Sequence, residues 1–93
     1  MRFGGFDWDS GNLPKCLAHG VSLPQIEALF AGDVYIVRDR LIAGERGMLG
    51  FGEVAGRWIF CVFTWRGDRI RPVSVALHAR ERGRALCRRN FPT

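Results

Sequence analysis

Residues 57–65, RWIFCVFTW, are apolar at odd and even positions alike. A strand points successive side chains to opposite faces, so a run that is apolar on both parities must be covered on both. This segment therefore demands a layered fold, with a central strand, strands beside it and other elements packed above and below. The next residues supply a neighbour. Gly67-Asp68 separates the run from a second strand-like segment, IRPVSVAL (70–77), and Gly at the first central position of a two-residue loop suits a type II′ hairpin turn. Folded this way, Arg66 faces Arg69 and Thr64 faces Arg71. Those four share one sheet face, and Phe63, Trp65, Ile70 and Pro72 share the other. Pro72 lacks an N–H, which assigns its strand to an edge or a bulge.

The remaining segments give the layers. FDWD (6–9) reads as a short extended piece. Asp9 or Asn12 can cap a short helix that ends before Gly20, with Pro14 in its first turn. Ser22 and Gln25 have capping-box spacing, Ile26, Leu29 and Phe30 recur on one helical face, and Gly32 stops that helix. VYIV (34–37) reads as a strand and 38–47, with mixed charges and two glycines, as a loop. A strand starts near Met48, and Ala55-Gly56 turns it into the central one. A helix is expected from His78 to Arg89, weakened by Gly83 and thin in apolar residues for a docked element. Helices, consecutive strands, then a helix predict an α+β fold with N-terminal helices and a C-terminal helix on an antiparallel sheet.

The chain has 93 residues, the size of a single domain spanning 1–93. No apolar run approaches the ~20 residues of a membrane span, and the N-terminus lacks a signal-peptide core, so the expected location is the cytoplasm. Cys16, Cys61 and Cys87 are odd in number and form no CxxC pair. They read as buried or half-buried thiols, with no metal site and no cofactor implied.

Charge is distributed unevenly. Residues 1–56 hold five basic and seven acidic residues, a net of −2, whereas 57–93 hold nine arginines against Asp68 and Glu81, a net of +7, which together give the chain's +5. Thirteen of the fourteen basic residues are arginine, whose planar fork of donors suits phosphate and stacks on bases. A polyanion, RNA or DNA, is the partner this favours; a solvated basic surface is the bland alternative. Arg66 and Arg69 at the turn can splay into water or attract phosphate, with Trp65 beside them able to stack on a base. Arg71 lies deeper on the same face. Arg46 stands beside Arg71 or on the opposite face, depending on a one-residue difference in register. His78 is read as opening the last helix. On that helix Arg80, Arg84 and Arg88 share a face that could lie on RNA or meet a protein partner. Lys15, the lone lysine, is either a solvated helix residue or a phosphate ligand.

Several of these segments, taken in order, are similar to one family. WDSGNLPKCLAHGVS (8–22), IEALF (26–30), Glu45-Arg46, Phe63-Thr64, IRPVS (70–74), His78 and Glu81 resemble the BrnT toxins. The resemblance implies a RelE-like fold and a cytoplasmic, metal-independent endoribonuclease of a type II toxin-antitoxin system. Its partner would be a BrnA-like ribbon-helix-helix antitoxin, with DNA bound only through that antitoxin and a dimer compatible with the arrangement. RNA supplies its own nucleophile, the 2′-hydroxyl, and the protein must move protons and hold the pentacovalent phosphate. On this basis Lys15, Arg46, Arg71 and His78 are the candidate catalytic residues, and Trp65, Arg66, Arg69, Arg80 and Arg84 the candidate RNA-binding ones. The pattern departs from the family at SVALH (74–78), which lacks an expected arginine, at LIAGER (41–46), which lacks a His-Ser pair, and in the last helix, which lacks a tyrosine. The alternative reading is therefore a weak or inactive binding module that pairs with an antitoxin and takes part in operon regulation.

Overall fold

In the computed structural model, which describes residues 3–42, 44–78 and 80–90, the segment that needed cover on both faces is strand β3, Arg57–Arg66. It lies third in a four-stranded antiparallel meander with β1 (Tyr35–Ile42), β2 (Glu45–Val54) and β4 (Arg69–His78). Helices α1 (Leu13–Leu17) and α2 (Leu23–Ala31) precede the sheet, and α3 (Arg80–Asn90) follows it. The α+β arrangement expected from the pattern is the one observed.

One face of β3 carries the core. Helix α2 starts at the expected capping box, in which the Ser22 side chain accepts from the Gln25 N–H and the Gln25 side chain accepts from the Ser22 N–H. It delivers Ile26, Leu29 and Phe30 onto Ile59, Cys61 and Phe63. Phe30 meets Phe63 edge-on, with ring centroids 5.1 Å apart. Burial raises the Cys16 thiol to about 11 and the Cys61 thiol well above its ordinary value, so these two sulfurs act as core atoms. Pro72 sits at both places its chemistry allows, since β4 is an edge strand and a bulge begins beside it. Val62 faces Ser74 while Phe63 faces Pro72, leaving Val73 as the extra residue. The bulge flips the parity of the strand, so Ile70 and Pro72 before it and Val75 after it all point into the core.

The outer edge of β4 is closed by the N-terminal segment. Phe6 forms a parallel bridge with Ile70; the Ile70 N–H donates to the Gly5 carbonyl (3.0 Å) and the Asp7 N–H to the Ile70 carbonyl (2.9 Å). Covering an edge strand removes a site of non-specific pairing.

Three expectations need correction. Residues 38–47 are mostly strand: β1 continues to Ile42 and β2 begins at Glu45. The mixed charges that suggested a loop decorate an edge strand, whose pairing shifts register between Arg38 and Leu41. His78 is the last residue of β4, not the first of the helix. Helix α3 is docked rather than loose. Its contact residue is Gly83, which is buried, and a Cβ there would stand 2.3 Å from the Trp58 ring. The glycine that lowers helix propensity is what lets the helix backbone reach the sheet. Under it the Trp58 Nε1 is buried with no hydrogen-bond acceptor among the described residues. Among the described residues, no helix is long and apolar enough to cross a membrane.

Candidate active site

The hairpin follows the register read from its turn. Arg66 faces Arg69, Thr64 faces Arg71, and positive φ falls on Gly67 (63°) and not on Asp68, as type II′ requires. The face shared by Thr64, Arg66 and Arg71 opens into a cleft of about 250 Å³, which Asn12, Lys15 and Glu45 also line. Asn12 (5% exposed) and Thr64 (2%) are the buried polar residues among those described, and both belong to this cleft. Polar groups are costly to bury, so their concentration at one place marks it as built for something other than packing.

The WDSGN segment holds the cleft together. The Asp9 Oδ1 accepts from the Gly11 N–H (2.7 Å) and the Asn12 N–H (3.0 Å), which starts the turn into α1. Its other oxygen pairs with Arg71 Nη2 at 2.8 Å, while Asp7 Oδ2 stands 3.4 Å from Arg71 Nη1. The Asn12 amide donates to the carbonyls of Asp7 and Pro72, both at 2.9 Å, and its oxygen accepts from the Asp9 N–H. Asn12 thus ties the N-terminal segment to the strand where Pro72 and the bulge interrupt the ladder. The backbone donors of Asn12 and Gly11, followed by the Arg71 guanidinium, hold the Asp9 carboxyl below its ordinary value. Asp9 in turn raises the pKa of Arg71, keeping it a fixed cation with 21% of its side chain exposed.

Beside Arg71, Arg66 Nη1 pairs with Glu45 Oε1 at 3.2 Å. Lys15 reaches the cleft from α1 and, among the described residues, has no carboxylate within ion-pair distance. Three cations (Lys15, Arg66, Arg71) and three carboxylates (Asp7, Asp9, Glu45) therefore meet around one opening. The arrangement is an array of aimed donors and acceptors rather than a broad positive field.

The structure brings Lys15, Arg66 and Arg71 together and leaves the other candidates elsewhere. Arg46 is on the opposite side. The β2–β3 turn has two residues, with Val54 facing Arg57 and Met48 facing Phe63, so the register differs by one from the one that would set Arg46 beside Arg71. Glu45 takes the place at the cleft, and Arg46 Nη1 donates to the Asp39 carbonyl at 2.9 Å. His78 faces Trp58 while Arg71 faces Thr64, six positions along β3 or about 20 Å at the usual rise of a strand. Arg69 is exposed at the turn. Trp65, 37% exposed, lies edge-on to Phe63 and so points to the core face, away from the cleft. Arg84 lines a separate hollow beside Trp58 and Glu53. Arg80 opens α3, and its side chain lies outside the described residues.

Sequence reasoning did not single out Asp7, Asp9 or Asn12 as site residues; Glu45 could serve as a base on the sequence alone, but a salt bridge to its neighbour Arg46 is the plainer reading, and the structure pairs it with Arg66 instead. The signal available was WDSGN itself, because two carboxylates and an amide beside a short helix exceed what one cap needs. Among the described residues no cluster of His, Cys, Asp and Glu has the makings of a metal site.

Comparison with known proteins bears on what such a cleft is for. No curated protein and no solved structure matches this chain significantly. Residues 8–81, which contain every residue of the cleft except Asp7, match the family described as ribonuclease toxin, BrnT, of type II toxin-antitoxin system. The chain belongs to the BrnT family of type II ribonuclease toxins, and an antitoxin is implied as its partner.

Proposed function

We propose that the chain is a metal-independent endoribonuclease whose scissile phosphate sits in the Lys15–Arg66–Arg71 cleft. The observation that carries this is the convergence of the three cations with the buried polar pair Asn12 and Thr64. Asp7 and Asp9 hold the Arg71 guanidinium in one orientation, so its remaining N–H donors meet the phosphate with little reorganisation. The Glu45 carboxylate accepts the proton of the 2′-hydroxyl. The 2′-oxygen bonds to phosphorus, the bond to the 5′-oxygen breaks, and Lys15 donates the proton that the leaving oxygen takes. The products are a 2′,3′-cyclic phosphate and a free 5′-hydroxyl. Arg71 carries the charge that grows on the phosphorane, and Arg66 orients Glu45 through their ion pair. His78 and Arg46, the other two candidate catalytic residues, do not line this cleft.

A BrnA-like ribbon-helix-helix antitoxin, binding operator DNA itself, would complete the cytoplasmic system. A second reading rests on a specific observation. The three carboxylates balance the three cations, and Ser74–His78 contains no arginine, which suits a scaffold kept for antitoxin pairing with little activity left. Incubating the purified chain with single-stranded RNA in EDTA separates the two. Cleavage that leaves cyclic phosphate ends supports the enzyme. Intact RNA, together with normal growth on expression, supports the binding module.

A further inference from the structure

A second cleft opens on the same sheet face, toward α3. Its volume is about 400 Å³, and its walls include Val62, Ser74, Ala76, His78, Arg82 and Leu86. The two openings adjoin. Phe60 and Val62 line one, and Thr64 and Arg66, the next residues of that face on β3, line the other. On β4 the bulge at Val73 lets Arg71 before it and Ser74, Ala76 and His78 after it share this face. A ligand lying along β3 and β4 crosses both.

The chemistry of the second cleft differs from that of the first. Its sheet floor is apolar, from Leu49, Val62 and Ala76, with Leu86 of α3 and the Asp39 carboxylate of β1 also lining it. Its end wall is an aromatic and cationic cluster, with His78 edge-on to Phe60 at 4.7 Å and the Arg82 guanidinium 6.0 Å from the same ring. Phe60 stacks on Phe51 from the side (5.2 Å, 12°), which fixes its plane. The hydroxyl of Ser74, exposed, stands at the middle of the track. A flat, apolar ring with polar edges suits such a place, since imidazole and guanidinium planes stack on bases and a hydroxyl can read an edge. A phosphate does not suit the apolar floor. Continuity with the cation cleft, about 13 Å away from Thr64 to Phe60 at the rise of a strand, argues for two parts of one strand of RNA.

We propose that this cleft is a nucleobase subsite: an unpaired base of the RNA lies against His78 and Arg82, which the buried Phe60 ring backs, while the scissile phosphate occupies the Lys15–Arg71 cleft. The substrate is then single-stranded RNA, because a base held in a duplex cannot reach the floor. The inference rests on the ribonuclease reading, and its test separates the two.

The test uses the whole chain and 2′-O-methyl RNA, which binds without being cut. Two probes are compared, a single-stranded oligomer and the same sequence in a duplex. The cleft is filled by Ala76→Phe, an aromatic that a strand tolerates, and in a second variant its stacking wall is removed by His78→Ala. In each, the preference for single strand over duplex should fall about tenfold, the loss of one stacked base. Thermal melting confirms that each variant is folded, and His78→Ala carries the test if Ala76→Phe does not fold. An unchanged preference in the folded variants overturns the subsite, including the case in which the cleft serves a protein partner. Parallel loss for both probes also overturns it, because the effect is then on the shared phosphate contacts. Binding of neither probe by the wild type defeats the ribonuclease reading and the subsite with it.

Discussion

The two ends of the open sheet face use arginine in opposite ways. At the hairpin end, Arg71 is clamped by Asp7 and Asp9 and Arg66 by Glu45, so each cation is oriented by a carboxylate. At the α3 end, Arg82 lies over Phe60 and beside His78, so aromatic surface adjoins it, and Asp39 lines the same cleft. The first arrangement fixes direction, which stabilising a developing charge requires. The second provides flat, adaptable surface, which suits a base. The difference shows why net charge was a poor guide to the site. The positive half of the sequence supplies Arg66, Arg71 and Arg82, but the carboxylates that orient the first two come from the negative half.

The largest effect expected from this contrast is at Arg71. Arg71→Ala should lower RNA cleavage about a hundredfold or more, the scale of losing one aimed donor to a transition-state oxyanion. Arg69→Ala, at the exposed turn, should lower it less than tenfold, as one screened phosphate contact does. Initial rates on one RNA compare them directly. If Arg69→Ala proved the more damaging, the hairpin tip would be the active surface and the contrast between the two ends would fail.

How much of this could be read beforehand varies by element. The run at 57–65 pointed to the central strand, because an apolar stretch of that length with no polar face needs cover on both sides. The II′ turn then set which residues face Arg71. What stayed hidden depended on a tertiary neighbour. The charges of 38–42 look like a loop until β2 pairs with them. Gly83 looks like a helix breaker until Trp58 is found beneath it. Arg46 was lost to a single residue of turn length, since Ala55-Gly56 alone forms the β2–β3 loop. Asp9 and Asn12 were legible as candidate caps, but the Asn12 side chain makes no cap bond to α1, and the partners that matter here, Arg71 for Asp9 and the Pro72 carbonyl for Asn12, lie some sixty residues away.

A smaller effect tests the α3 end. Gly83→Ala should lower stability by ~1–3 kcal/mol, the usual range for forcing atoms into a packed contact, and show as a lower melting temperature. A melting temperature equal to the wild type's would mean that α3 is not seated on Trp58.

The acid dependence of the clamp is smaller still. Asp9 has its pKa lowered by the Asn12 and Gly11 N–H groups and by Arg71, so the folded state binds this proton less readily than the unfolded chain. Its contribution to stability is present above the unfolded carboxyl value of ~3.9 and fades as pH falls through the lower folded one. Asp9→Asn should therefore melt with a shallower decline below about pH 4 than the wild type. His78 has the same sign: burial first and Arg82 second lower its pKa, so acidification below ~6.5 should weaken the fold at the other end. Melting curves of the two variants Asp9→Asn and His78→Ala across pH assign each limb.

The smallest effect concerns the β2–β3 turn. Ala55 holds φ at 51° ahead of Gly56 at 81°, a pair of left-handed residues in which only the second is glycine. Ala55→Gly should relieve that strain, with a gain of ~0.5–1 kcal/mol and no change in cleavage. A loss of stability would contradict the geometry of this turn and with it the register that separates Glu45 from Arg46.

The central claim is that the reaction belongs to the Lys15–Arg71 cleft. Its most direct test is cleavage of a short single-stranded RNA in EDTA by Lys15→Ala, Arg71→Ala and Arg46→Ala, beside Arg57→Ala as an exposed arginine at the far end of β3, with circular dichroism to verify folding. The account predicts cyclic-phosphate products from the wild type, losses of about a hundredfold for Lys15→Ala and Arg71→Ala, a much smaller loss for Arg46→Ala, and a rate for Arg57→Ala equal to the wild type's. Arg71→Ala and Lys15→Ala cleaving as fast as Arg57→Ala, with Arg46→Ala inactive, would contradict it.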